Sequence, residues 1–249
     1  MPIQRRRLLA LGSVAACVGV RARAPTLLAV DAQNPPFMYQ RQRQGPARGV
    51  YPVLMRAIFG ILGEPLQLVP LPWARALAGL DRAEHGMAGL FSNSDRLAKF
   101  DFGEPILTET VRVYIQRGRL KQFERLGDLS GLRVGVLRGW TYGDEFDAAR
   151  KSALFKVEEV IDDAANFGKL ERDYLDAVLA VEQTGEAVMA SGNYPSVRAM
   201  PNPLTENPTY VAFHKSRQQL PLLARIDEVV VQLRRSGEHA RLIKQGLKD

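Results

Sequence analysis

What most constrains this chain is an alternation that runs once, stops, and runs again. From Thr26 onward, short apolar runs suited to buried strands (TLLAV, LQLVPL, GMAGLF) alternate with segments of helical spacing. The first helical segment carries Val53, Ile58 and Leu62 before Gly63, and WARALAGLDRA forms the second. Alternation at this spacing predicts a parallel sheet with helices on its faces. ETVRVYIQRG (Glu109 to Gly118) then reads as a long alternating strand, and the polar stretch to Ser130 as a boundary. The pattern restarts with strands LRVGVLRG, FKVEEV, LDAVLAV and VRAMP, separated by helices TYGDEFDAARKS, AANFGKLERDY and EQTGEAVMAS. TYVAFHKS (Thr209 to Ser216) is extended again. Two helices close the chain, the first with Leu223, Ile226, Val230 and Leu233 on one stripe.

The fold class is therefore α/β in two units, with extended crossings near residues 105–115 and 203–212. The terminal helices have no third sheet to cover, so they are expected to return to the first unit. Lobe 1 then comprises residues 25–110 and 208–249, and lobe 2 residues 111–207. A cleft lies between them, and ligands in such sheets bind beyond the carboxyl ends of the strands.

A leader precedes all of this. Residues 1–24, MPIQRRRLLALGSVAACVGVRARA, set three arginines before an apolar run too short to span a membrane. That is the layout of a secretory signal, and RRRLLA loosely matches a twin-arginine type. Val20-Arg21-Ala22 offers a cleavage site, while Val14-Ala15-Ala16-Cys17 resembles a lipoprotein box that would leave a lipid anchor at Cys17. The leader holds five of the 34 basic residues and none of the 27 acidic ones. The net charge of +7 is thus largely a targeting feature, and nucleic acid is not an expected partner. The single cysteine also lies there, so the exported part is expected to lack disulfides, thiol nucleophiles and cysteine metal sites.

Catalytic and cofactor signatures are missing. His85, His214 and His239 are scattered, no nucleophile elbow occurs, and the glycines of GVLRGWTYG are wrongly spaced for a nucleotide loop. No cofactor and no metal are expected. What recurs is polar and aromatic residues directly after strands: Asp31 and Asn34, Trp73, Ser92 to Arg96, Gly139-Trp140-Thr141-Tyr142, and Glu182. Thr141 with Asp144 would cap a helix and leave amides for an anion. Each residue also has a plain structural role open to it. Asp31 could cap a turn, Trp73 anchor the core, Glu182 favour a helix start, and Arg96 sit solvated beside Asp95.

AVDAQNPPFMY, LQLVPLPWARALAGL, SDRLAKFDFGEPI, LGDLSGLRVGVLRGWTYG and LDAVLAVE follow in an order that resembles the family 3 bacterial extracellular solute-binding proteins. These are periplasmic receptors of polar amino-acid ABC importers. The resemblance implies the two-lobed periplasmic-binding-protein fold of type II, a small-molecule ligand, a membrane permease as partner, and a monomer. It implies that Arg96 grips a ligand carboxylate, that Asp31, Asn34, Phe37 and Trp73 wall the pocket, and that Gly139 to Thr141 add donors from the second lobe.

The chain also departs from the family pattern. Phe91-Ser92 stands where a hydroxyl residue is usual, His85-Gly86 where an aspartate is usual, and Val181 where an aspartate meets the ligand's ammonium group. Glu182 next to it is the candidate replacement. With Phe91, Trp73 and Trp140 around the cleft, a flat or partly apolar carboxylate is expected. Two other functions are compatible with the scaffold. One is a dehydratase with Glu182 or Asp31 as general acid, and the other is a ligand-sensing module without transport.

Overall fold

A computed structural model describes residues 23–119, 122–192 and 194–249. The leader reading, Cys17 included, lies outside the described residues except for Arg23 and Ala24. The first unit opens with β1 (Thr26–Asp31) and a small ribbon, β2 (Gln33–Asn34) with β3 (Met38–Tyr39). It continues through α1 (Val50–Leu62), β4 (Leu66–Leu71), α2 (Trp73–Asp81), β5 (Gly86–Phe91), α3 (Ser94–Lys99) and β6 (Phe100–Phe102). The crossing strand β7 (Leu107–Gln116) leads to β8 (Arg133–Leu137), α4 (Asp144–Lys151), β9 (Lys156–Val160), α5 (Asp163–Glu171), β10 (Ala177–Val181) and α6 (Glu182–Met189). The return strand β11 (Val197–His214) is followed by α7 (Leu220–Arg235) and α8 (Glu238–Gly246).

Pairing is parallel within each unit (β4-β1-β5 and β10-β8-β9) and antiparallel where β7 and β11 cross. Among the described residues these strands form one sheet in the order β4-β1-β5-β11-β7-β10-β8-β9, with β6 on β11. The sequence predicts two separate extended segments, VRAMP and TYVAFHKS, where the structure has one 18-residue strand. Pro201, Pro203 and Pro208 argue against a strand interior because each lacks an N–H. The long partner β7 carries the pairing past them, with register shifts on either side of Pro203.

The core lies between this sheet and its helices. Helix α1 buries Tyr51, Leu54, Met55, Ile58 and Phe59 on one face. The terminal helices lie against it, as a Cβ on Gly246 would come within 2.5 Å of the Val50 Cα. One polar network sits in this core where the crossing strands leave it. The Tyr51 hydroxyl bonds the Glu109 carboxyl and lies 2.8 Å from Thr209 Oγ1, with all three side chains buried. Burial pushes the Glu109 carboxyl up to about 8, against the opposing pull of the Tyr51 hydrogen bond. The folded chain then holds a proton that the unfolded chain releases near its ordinary value. Stability therefore falls as pH rises through that window to about 8, by up to about 1.4 kcal/mol per unit. Urea unfolding at pH 5 and pH 8 should show a fall in stability in the wild type and a smaller fall in Glu109→Gln, the difference being the Glu109 contribution.

Candidate functional site

Arg96 lies near the start of α3, a helix capped by Asn93, whose Oδ1 accepts from the Arg96 N–H at 2.9 Å. The side chain is 8% exposed, and burial lowers its pKa to about 10, with Asp147 and Asp81 opposing. It stays charged at neutral pH, yet its guanidinium forms no ion pair with any described residue. Its Nη1 donates to the Phe91 carbonyl at 2.7 Å and its Nη2 to the Gly139 carbonyl at 3.0 Å. The guanidinium carbon stands 6.0 Å from the centre of the Trp73 ring. A buried fork that spends its donors on neutral carbonyls has capacity left for an anion.

The Gly139 carbonyl comes from the second unit, in the turn between β8 and α4. Trp73, the first residue of α2, also donates its Nε1 to that carbonyl at 3.3 Å. Trp140 follows directly and fits between Trp73 (ring centres 5.2 Å apart, tilted 43°) and Phe91 (5.5 Å, edge-on at 90°). The Trp140 Nε1 is buried without a partner. Gly139 makes the turn possible, because its φ of +75° lies where a side chain is disfavoured. In this conformation, then, the second unit's own turn fills the space beside Arg96.

Thr141 does not form the expected cap with Asp144. Its hydroxyl donates to Asp147 Oδ2 at 2.5 Å and accepts the Gly143 N–H at 3.2 Å, and Gly143 is the cap residue of α4. Asp144 instead reaches across to the other unit, accepting from the Ser94 N–H (2.9 Å) and Oγ (2.8 Å). The Asn93 Nδ2 donates to Asp147 at 2.8 Å. Acids in the first turn of α4 thus meet the free amide of the facing helix start, a favourable placement. Asp144→Ala removes this latch. Small-angle scattering of the ligand-free variant should show a larger radius of gyration than the wild type.

The remaining candidates divide. Asp31 is buried at the end of β1 and accepts the Gln33 N–H at 2.9 Å; burial raises it to about 7, against its backbone hydrogen bonds. Asn34 Oδ1 accepts from the Thr184 hydroxyl of the second unit at 3.0 Å. Ser92 is half-buried in the turn after β5. Phe37 packs on Tyr51, 6.1 Å between ring centres, on the core side. Tyr142 is a core anchor, edge-on to Phe146 with its hydroxyl accepting the Leu137 N–H at 3.4 Å. Glu182 stands apart from the group. Its carboxylate pairs with Arg112, which also donates to the Pro201 carbonyl. Asp147 and Thr184 join the site without having been singled out in the sequence, and Asn93 and Asp144, named there for their turn and cap positions, join it through contacts between the two units. The Asn-Ser-Asp-Arg cap pattern was the available signal for Asn93.

Two cavities flank the paired indoles. One of about 430 Å³ is lined by Leu77, Asn93, Arg96, Trp140 and Asp147, and one of about 290 Å³ by Gln33, Trp73, Arg138 and Ile161. Among the described residues no group of His, Cys, Asp or Glu could hold a metal ion, and no helix is long and apolar enough to cross a membrane.

Residues 27–248 match the family described as bacterial extracellular solute-binding proteins, family 3. The L-cystine-binding protein TcyJ of Escherichia coli (strain K12) is 22% identical over 220 residues, 88% of this chain and 80% of that one. Among solved structures, a histidine kinase sensor domain with similarity to periplasmic binding proteins superposes with a TM-score of 0.78 at 18% identity, covering 91% of this chain and 97% of that one. An ancestral arginine-binding protein bound to glutamine gives 0.74 at 21% identity, covering 91% and 99%. The two-lobed fold and a family match across both units agree: this chain belongs to the family 3 bacterial extracellular solute-binding proteins.

Proposed function

We propose that this protein is a periplasmic receptor that closes its two lobes on a small carboxylate-bearing solute of the amino-acid class and delivers it to the permease of an ABC importer. The observation that carries this reading is Arg96, a buried and unpaired guanidinium at the lobe interface whose donors rest on neutral carbonyls. A solute carboxylate takes the place of the Gly139 carbonyl on Arg96. Trp73 and Phe91 hold its body, Trp140 swings aside or stacks on it, and Thr141 with Asp147 fastens the second lobe. The lobes are assigned as residues 25–110 with 208–249, and 111–207, and the receptor works as a monomer. Closure is rewarded by the contacts of Thr141 and Asp147 with the solute, which form only when the second lobe meets the first and so are the differential contact a hinge equilibrium needs. The charged fork of Arg96 anchors the carboxylate on the first lobe. The names of relatives that bind L-cystine and arginine support an amino-acid-type solute.

Thermal unfolding against a panel of amino acids and small carboxylic acids tests this. A solute present at 100 times its dissociation constant adds about 2.7 kcal/mol, which raises the melting temperature of a chain this size by roughly 5–10 °C. A saturable shift of that kind, lost with the methyl ester of the same solute, is the expected result. A panel without any shift would overturn the reading.

A further inference from the structure

The first turns of α5 and α6 converge on the loop after β1. Asp163 opens α5 and is 6% exposed, and its Oδ1 has no hydrogen-bond partner. It faces Asp31 across the lobe interface closely enough for the two charges to repel. Neither carboxylate forms an ion pair with a described residue. Asn166, one turn on from Asp163 and fully buried, has both side-chain polar atoms unpartnered, and so does the Gln183 Oε1 of α6. On the first lobe the Asn34 Nδ2 is likewise free, while its Oδ1 is held by Thr184.

Two acids buried against each other cannot both keep their charge without a cation, and unpartnered buried polar atoms are costly. The Asp163 Oδ1 is the unpartnered carboxylate oxygen among these atoms, and an ionised carboxylate only accepts, so the group it lacks is a donor. We infer that Asp163, with Asp31 opposite, receives a protonated amine of the solute whose carboxylate sits on Arg96. This rests on the reading of Arg96 above. It gives the role left empty by Val181 to a residue on α5 instead of to Glu182, which is committed to Arg112.

The pair also sets a proton requirement on closure. The titratable and charged groups around it are Asp162 on the same helix, Tyr142 from the β8–α4 turn and Tyr114 from β7, with Arg150 and Arg112 acting on those tyrosines and Arg138 lining the adjoining cavity beside Gln33 and Ile161. Burial first, then the neighbouring acids, raises Asp163 to about 7, and burial does the same for Asp31. When the lobes are apart both acids are solvated and ionised at neutral pH. Closing without a cation therefore takes up protons, and closure is lost as pH rises through about 7.

Binding of unbranched ω-amino acids, from glycine to 6-aminohexanoate, is measured against the matched amine-free acids by calorimetry at pH 6 and pH 8. At pH 8 the aminated member of at least one pair should bind 10- to 100-fold tighter than its partner, and Asp163→Asn should erase that difference. Equal binding of both members in the wild type, or a difference that survives Asp163→Asn, overturns the inference. Scattering of the solute-free protein decides it without a solute. The wild type should open between pH 6 and pH 8, whereas Asp163→Asn should respond more weakly; a wild type indifferent to pH in this range overturns the acid pair. If no pair binds, the reading of Arg96 falls and the pH scan alone judges the pair. Arg96→Ala with intact amine preference would separate the two claims in the other direction.

Discussion

Arg96→Ala should weaken binding of the recognised solute by at least 100-fold, with the overall fold retained. Each charge-assisted hydrogen bond to the carboxylate contributes about 1.5–3 kcal/mol, and 1.4 kcal/mol is a factor of ten in affinity. Two such bonds in parallel therefore exceed a hundredfold even at the low end. Arg96→Lys discriminates further, because an ammonium keeps the charge but cannot present the planar pair of donors. It should recover only part of the loss. The same variants change the empty protein, since Arg96 also ties the Gly139 carbonyl of one lobe to the Phe91 carbonyl of the other. Arg96→Ala should thus be more open in solution than the wild type. Calorimetry reports the first effect and scattering the second.

Gly49→Ala should produce the largest loss of stability, at a position remote from the cleft surface. Gly49 is the cap residue of α1 with φ +99°, and a Cβ there would stand 2.5 Å from the Pro36 carbonyl oxygen and 2.6 Å from that of Phe37. Both contacts are with backbone, so no side chain can move aside. The same oxygens accept the Val50 and Tyr51 N–H groups at 3.3 and 2.9 Å, docking the loop that follows Asp31 and Asn34 onto the helix start. Strain and a displaced loop together should cost about 3 kcal/mol or more, lowering the melting temperature by roughly 10 °C. Solute affinity should fall with it. Gly60→Ala is the control on the same helix. A Cβ there meets nothing within 4 Å, so the substitution should raise stability by up to about 1 kcal/mol.

The alternation of apolar runs makes most of the elements readable in the sequence, because strand and helix periods differ and the runs are short. β11 was not readable as one strand. Its prolines signal interruption locally, and only the pairing offered by β7 overrides them. The turn Gly139 to Tyr142 shows the same limit at the site. Two neighbouring aromatic residues look alike in sequence, but the positive φ of Gly139 sends Trp140 into the interface and leaves Tyr142 under it. Glu182 was singled out for its place after a strand, but it opens α6 with its side chain on the Arg112 side. The helical pattern in the sequence starts at Ala164, which leaves Asp163 outside it. Asp162 is in fact the cap, its side chain accepting the Ala165 N–H at 2.7 Å, which puts Asp163 in the first turn. Which acid enters a closing cleft depends on helix rotation, and composition at a strand end does not report it.

On this reading of Arg96, a solute carboxylate takes the place that the Gly139 carbonyl holds in the solute-free protein. The most direct test is a crystal structure of the protein with the acid that stabilises it most. The carboxylate should lie within hydrogen-bond distance of both terminal nitrogens of Arg96, between Trp73 and Phe91, with Gly139 moved off. A solute bound elsewhere, with Arg96 still on Gly139, would contradict it.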